Sequence, residues 1–340
     1  MHHQRFVSLL REVLSTPTAP FHEYHVARVI RERLAEYRHV SVETDEFGNL
    51  IATYRRGRKR PRLAFAAHMD HPGWVRDNGE PVFLGGVPKE RLESHPVDWF
   101  GEFGMWQLEP FTLRNGEVHA RVCDDLVGCA TILALFDELE KNEVEATCYG
   151  LFTRAEEVGF IGATRMAKSW PLPSGVRFVS LETSAPRGAT EFGKGPVVRV
   201  GDRLSVFDDA VTADLIEAAA SEKIPVQRAL LDGGACEATP MNLFGVPAAG
   251  ISVLLGNYHN CPPEKGIAEE FVDLSDVKAL VRLIYATVRR TASRKPSESG
   301  QAALRKRLAL RDREHRRYER SARAAWQRFE GEELNGAGKS

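Results

Sequence analysis

The chain has 340 residues, is 43% hydrophobic and 27% charged, and carries a formal net charge of −1. That length buries a large core, and the near balance of charge excludes a molecule built as a whole to grip nucleic acid. No apolar run approaches the roughly 18 residues that a membrane-spanning helix needs, so no membrane is expected among the partners.

Residues 5–15 and 22–38 show helical periodicity, broken between them by Thr16-Pro17-Thr18-Ala19-Pro20. Strand-like runs follow at 40–44, 50–54 and 63–67. Further on, the two patterns alternate: helix 125–141, strand 146–153, helix 162–169, strand 177–182, helix 207–221, strands 226–230 and 247–253, helix 274–292. Such alternation predicts an α/β fold, a mixed and mostly parallel sheet flanked by helices. Residues 72–120 break the rhythm. They are rich in Gly, Pro and aromatics, with turns such as Asn115-Gly116, and predict a small inserted β-rich lobe. The expected domains are a catalytic one of residues 1–71 and 121–295, the lobe at 72–120, and a charged helical tail at 296–340.

The tail carries 11 Lys/Arg against 7 Asp/Glu. Residues 301–329 lack Pro and Gly and predict a helix. It is solvated, or docked along a narrow seam by Leu308, Tyr318, Trp326 and Phe329. A solvated or oligomer-bracing helix is the plainer reading; binding of RNA or an acidic partner is the sharper one. Five cysteines (Cys123, Cys129, Cys148, Cys236, Cys261) show no CxxC spacing, and the N-terminus lacks the apolar core of a signal peptide. Both features predict reduced thiols and a cytoplasmic protein.

Chemistry concentrates in short islands beside apolar runs. Leu63–Ala67 ends in His68, and Asp70, two residues on, shares its side of a strand. A carboxylate there would orient the imidazole; a plain polar strand end is the alternative. Cys123-Asp124-Asp125 precedes a strongly helical segment, where an aspartate either bridges two cations or simply caps the helix. Glu156 and Glu157 follow the strand 146–153. Adjacent side chains in a loop diverge, so one can ligate a metal while the other moves a proton between attacking water and leaving amine. A solvated acidic loop is the alternative. Glu182 ends one strand and His259 follows another. Two imidazoles with several carboxylates suit Zn²⁺, Mn²⁺ or Co²⁺.

In order, the islands read AHMDHPG, CDDLVG, EEVGFIGA, LET, GGACEA, GVP and NYHN. The series resembles that of the cocatalytic zinc aminopeptidases, in particular the glutamyl, deblocking and tetrahedral aminopeptidases: AHxDEIG, DDRxG, EExGxxGA, an acidic residue, GGTDA, GVP and YxHS. The match spans roughly residues 10–292. It implies a zinc-exopeptidase-like fold and two divalent ions per chain, zinc first, with cobalt or manganese as alternatives. In that site Asp124 bridges both ions. His68 and Glu182 complete one, and Glu157 and His259 the other. Glu156 is the general base and acid, and Asp70 supports His68. The Asp124–Asp125 peptide bond is expected to be cis, as is common in that family. The chain departs from the pattern in three places: Glu182 replaces an aspartate, Cys236-Glu237 replaces Thr-Asp, and the lobe is about half the usual length.

The implied activity is that of a dinuclear metal-dependent aminopeptidase acting on N-terminal residues of peptides, and a homo-oligomer. In the related carboxypeptidases and deacylases the position of Glu182 is often Glu, so a carboxypeptidase, amidase or deacylase is the alternative within that clan. A catalytically silent binding or assembly relative is the alternative outside it. Retention of every ligand together with Glu156 argues against silence.

Overall fold

The computed structural model describes residues 3–60, 62–92, 95–293, 302, 304–318 and 326–327. Helices α1 (His3–Leu14) and α2 (Tyr24–Leu34) lead into strands β1 (Val40–Thr44), β2 (Leu50–Arg55) and β3 (Leu63–His68). Strands β4 (Gly73–Asp77), β5 (Glu80–Leu84), β6 (Val97–Phe100), β7 (Phe103–Trp106), β8 (Phe111–Arg114) and β9 (Glu117–Ala120) follow. Then come α3 (Leu126–Lys141), β10 (Thr147–Thr153), α4 (Ile161–Lys168), β11 (Arg177–Ser184), β12 (Val197–Gly201), α5 (Asp209–Ser221) and β13 (Gln227–Leu230). The last are α6 (Ala238–Leu243), β14 (Ala248–Gly256), β15 (Glu270–Asp273) and α7 (Leu274–Ser293).

The large sheet runs β1-β2-β10-β3-β11-β14-β15-β9-β8, with β12 pairing β14 and β13 pairing β12. At its centre β10, β3, β11 and β14 are mutually parallel. Every residue of β3 and β10 is buried, which is why both read as unbroken apolar runs and not as alternation. Four parallel strands place their C-terminal ends on one edge, and open α/β sheets put ligands there. That edge receives His68 from β3, the 154–160 loop from β10, Glu182 from β11 and the 257–260 loop from β14.

Helix α3 is buried almost all round and packs on α1, α7 and β3. Helices α4 and α6 form a separate pair, with α6 on β11 and β14. Within the 72–120 stretch, β5-β4-β7-β6 make their own four-stranded sheet. Strands β8 and β9 instead extend the large sheet, because β9 pairs with β15. The separate sheet is therefore smaller than the stretch expected from sequence.

The chain divides into two compact units, Met1–Arg294 and Lys295–Ser340. In the second, residues 304–318 are helical and, with 326–327, exposed, including Leu308, Tyr318 and Trp326. The rest of the expected helix, including Phe329, lies outside the described residues. No described helix is long and apolar enough to cross a membrane.

Candidate metal centre

A cleft of about 370 Å³ opens at the C-terminal edge of the parallel strands and is lined by His68, Asp124, Glu156, Glu157, Glu182 and His259. Asp124 lies between the two histidines. Its Oδ1 is 3.4 Å from His68 Nε2 and its Oδ2 is 3.7 Å from His259 Nε2. Glu182 Oε2 stands 3.9 Å from His68 Nε2, and Glu157 Oε2 3.1 Å from His259 Nε2. Ligand atoms of His68, Asp124 and Glu157 all fall within 4.8 Å of one another, as do those of His68, Glu156 and Glu182.

Backbone carbonyls turn both imidazoles the same way. His68 Nδ1 donates to the Asp70 carbonyl at 3.1 Å, and His259 Nδ1 donates to the Gly86 carbonyl at 2.9 Å. Each bond fixes a tautomer and leaves Nε2 facing the carboxylates, the arrangement that prepares a histidine as a ligand. Gly86 belongs to the loop after β5, so the small sheet's segment orients a side chain of the large one. The Asp70 carboxylate lies 3.6 Å from His68 Nδ1. Its hydrogen bonds go elsewhere: Oδ1 accepts from the Glu156 amide at 2.9 Å and Oδ2 from the Glu157 amide at 3.1 Å. Asp70 thus supports His68 through its carbonyl and the Glu156-Glu157 turn through its carboxylate.

The Asp124–Asp125 peptide bond is cis. Asp125 caps α3, accepting from the Gly128 amide at 3.1 Å. A Cβ at Gly128 would sit 2.3 Å from that carboxylate, which explains the glycine after Asp-Asp. The cap and the cleft-facing carboxylate are therefore two different aspartates.

The protein's own charges strain this site. Burial pushes Glu156 well above the usual carboxylate range; His68 opposes it, and Glu182 and Glu157 add to it. Burial likewise lifts Glu182 to about 8. Asp124 is lowered, because His68 and His259 outweigh its burial. Burial works against the charged form of His259, yet Glu157 and Asp124 raise it to about 9. Asp124 Oδ1, Glu157 Oε1 and His259 Nε2 are buried without a hydrogen-bond partner, an arrangement that costs free energy unless a cation satisfies it. The donor set and these three orphaned atoms fit divalent metal ions.

Several other groups at the site carry no role assigned from sequence. Arg199 is buried on β12 and lines the cleft with Arg187 and Arg203. His71 and Glu270 are buried beside the Asp124 and His259 backbones. A charged residue inside an otherwise apolar strand, as at Arg199 in β12, is the signal that could have found one of them.

The sheet order and the two histidines flanking Asp124 fit a metal-dependent exopeptidase. The family model described as M42 glutamyl aminopeptidase matches residues 86–283, and the chain belongs to that family; it is a peptide hydrolase of the metallo-aminopeptidase kind. Several solved structures share the fold. A TET aminopeptidase from a marine-sediment thaumarchaeote superposes with a TM-score of 0.74 at 19% identity, covering 85% of this chain and 98% of that one. An aminopeptidase of Desulfurococcus kamchatkensis gives 0.71 at 19%, covering 86% and 99%. The TET1 peptidase of Pyrococcus horikoshii gives 0.67 at 21%, covering 83% and 99%.

Proposed function

We propose that the chain is a dinuclear aminopeptidase in which Asp124 bridges two divalent ions, His68 and Glu182 complete one, and Glu157 and His259 complete the other. One observation carries this reading: each oxygen of Asp124 faces the free nitrogen of a different histidine. Two imidazoles with carboxylates suit zinc, with cobalt or manganese as alternatives. Once bound, the ions supply Lewis-acid polarisation of the scissile carbonyl. Glu156, pushed up in pKa by burial, takes a proton from the attacking water and delivers it to the leaving amine. Asp70 holds Glu156 and Glu157 in their separate tasks through their amides.

The cleft wall beyond Glu182 supports a preference for substrates with an acidic first residue. Arg187, Arg199 and Arg203 line it, and none of the three forms an ion pair among the described residues. Arg199 is buried, whereas Arg187 and Arg203 are exposed; a buried guanidinium without a carboxylate is costly, and a substrate carboxylate would offset that cost at Arg199. The shared fold of the Pyrococcus horikoshii TET1 peptidase, which assembles into a tetrahedron or a large octahedral shell, supports a homo-oligomer here. The free state of all five cysteines supports a reducing, cytoplasmic compartment.

Elemental analysis of the purified protein should count two divalent ions per chain, and Asp124→Ala should lose both. Glutamyl and aspartyl anilides should be cleaved faster than leucyl anilide, and N-acyl amino acids not at all. Preferential hydrolysis of N-acyl amino acids would move the protein to the deacylase alternative.

A further inference from the structure

The backbones of Asp124 and His259 are tied together by two buried side chains. Glu270, on β15, is fully buried. Its Oε2 accepts from the amides of Cys123 and Asp124 at 2.7 and 3.0 Å, and its Oε1 from the amide of His259 at 2.9 Å. One carboxylate thus holds the N–H groups of two proposed ligands that arrive from opposite halves of the chain. His71 spans the same gap from the carbonyl side. Its Nδ1 donates to the Asp124 carbonyl at 2.9 Å, and its Nε2 lies 3.0 Å from Asn260 Oδ1. The Asn260 amide nitrogen donates to the carbonyls of Arg121 and Ala268 at 2.9 and 3.1 Å, which turns its oxygen toward His71. The result is a closed ring: Asp124, Glu270, His259, Asn260, His71 and back to Asp124.

The segment inside this ring is under backbone strain. Asn257, His259 and Asn260 have φ of 54°, 53° and 58°. Residues with a Cβ occupy that left-handed region at a cost of about 1–3 kcal/mol each and stay there only where their surroundings hold them. Charge-assisted bonds from one carboxylate to three amides are a strong way to do so. No hydrogen bond of the ring reaches His68 or Glu182, whose positions come from β3 and β11.

We propose that Glu270 and His71 are positioning residues that fix the separation of Asp124 and His259, and so set affinity more strongly for the ion on the Glu157–His259 side, where both held ligands act, than for the ion on the His68–Glu182 side, where Asp124 alone does. This rests on the ligand assignment above. In Glu270→Gln the shape is kept, but the amide N–H₂ must face at least one backbone N–H, which then finds no acceptor. His71→Asn removes the reach to the Asp124 carbonyl.

The test is dialysis of the purified, metal-loaded protein against graded free chelator, with metal counted per chain. Wild-type protein should hold two ions. Glu270→Gln should release one of them at chelator strengths about 10–100-fold lower, the usual effect of losing an outer partner, and weaken the other distinctly less. His71→Asn should show the same split, and it decides the matter if Glu270→Gln does not fold. Unchanged release, or equal weakening of both ions, overturns the proposal. A folded wild-type protein that holds no ions would instead overturn the ligand assignment, and the clamp with it.

Discussion

Glu156 and Glu157 are neighbours in sequence with different surroundings. Both amides are fastened to one carboxylate, that of Asp70, so the two side chains leave the turn in fixed and different directions. Glu157 meets His259, whereas burial raises the pKa of Glu156. Glu156→Gln should therefore retain the ions and lose about 10²–10⁴-fold in kcat, the usual range for a positioned general acid–base; retained turnover at full metal content would remove Glu156 from the reaction. Glu237, where the resembled family has Asp, offers a second residue-level check. It is fully buried, and burial pushes its carboxyl up from 4.5 to about 7. The folded state then keeps a proton that the unfolded chain gives up, so this group's contribution is full below about pH 4.5, falls as pH rises to about 7, and is level above that. Glu237→Gln should thus stabilise the metal-stripped protein at pH 8 relative to pH 4.5, by up to about 3 kcal/mol. Thermal unfolding at the two pH values would show it, and an equal effect at both would leave the buried-proton account without support.

At the scale of elements, the site depends on how tightly α3 lies on the sheet. Asp125 caps that helix while Asp124 enters the cleft, so the position of the helix is also the position of the bridging carboxylate. Gly150, in the middle of β10, allows the approach: a Cβ there would meet Ile132 Cγ2 at 2.5 Å and the Phe136 ring at 3.0 Å. Gly150→Ala should cost about 1–3 kcal/mol by overpacking, measured by denaturant unfolding, and should lower metal affinity as well, because α3 carries Asp124 outward with it. The long periodic elements were legible in sequence: α1, α3, α7 and the buried strands β3, β10, β11 and β14 all lie within a few residues of their expected spans. Four-residue β15 and six-residue α6 were not, since each is too short to show a period. Helix α2 is also shorter than its apolar pattern, ending at Leu34.

For the whole molecule, every proposed ligand lies in the unit Met1–Arg294. Removal of residues 297–340 should leave metal content and turnover intact and change assembly or partner binding instead. Size-exclusion mass and activity of the truncated protein would be measured together. A truncated protein that keeps its metals and its mass yet loses activity would show that the tail serves the site. The described tail residues 304–318 are exposed and rich in arginine, a surface better suited to a solvent or partner contact than to a core.

Local chemistry made much of this legible. Buried parallel strands must be apolar throughout, a helix start favours aspartate, and adjacent glutamates in a loop diverge; each rule acts over a few residues and leaves its mark in them. The order of the islands then pointed to one family and one set of candidate ligands. What only the tertiary structure decided is how these side chains are held. That the Asp70 carboxylate grips two amides, that the Gly86 carbonyl turns His259, that β8 and β9 join the large sheet, and that Glu270 ties Asp124 to His259 all depend on residues far apart in the chain meeting at one edge of a sheet. Backbone amides and carbonyls carry most of these contacts. Every residue type but proline has both, so no pattern of side chains can announce which ones will be used.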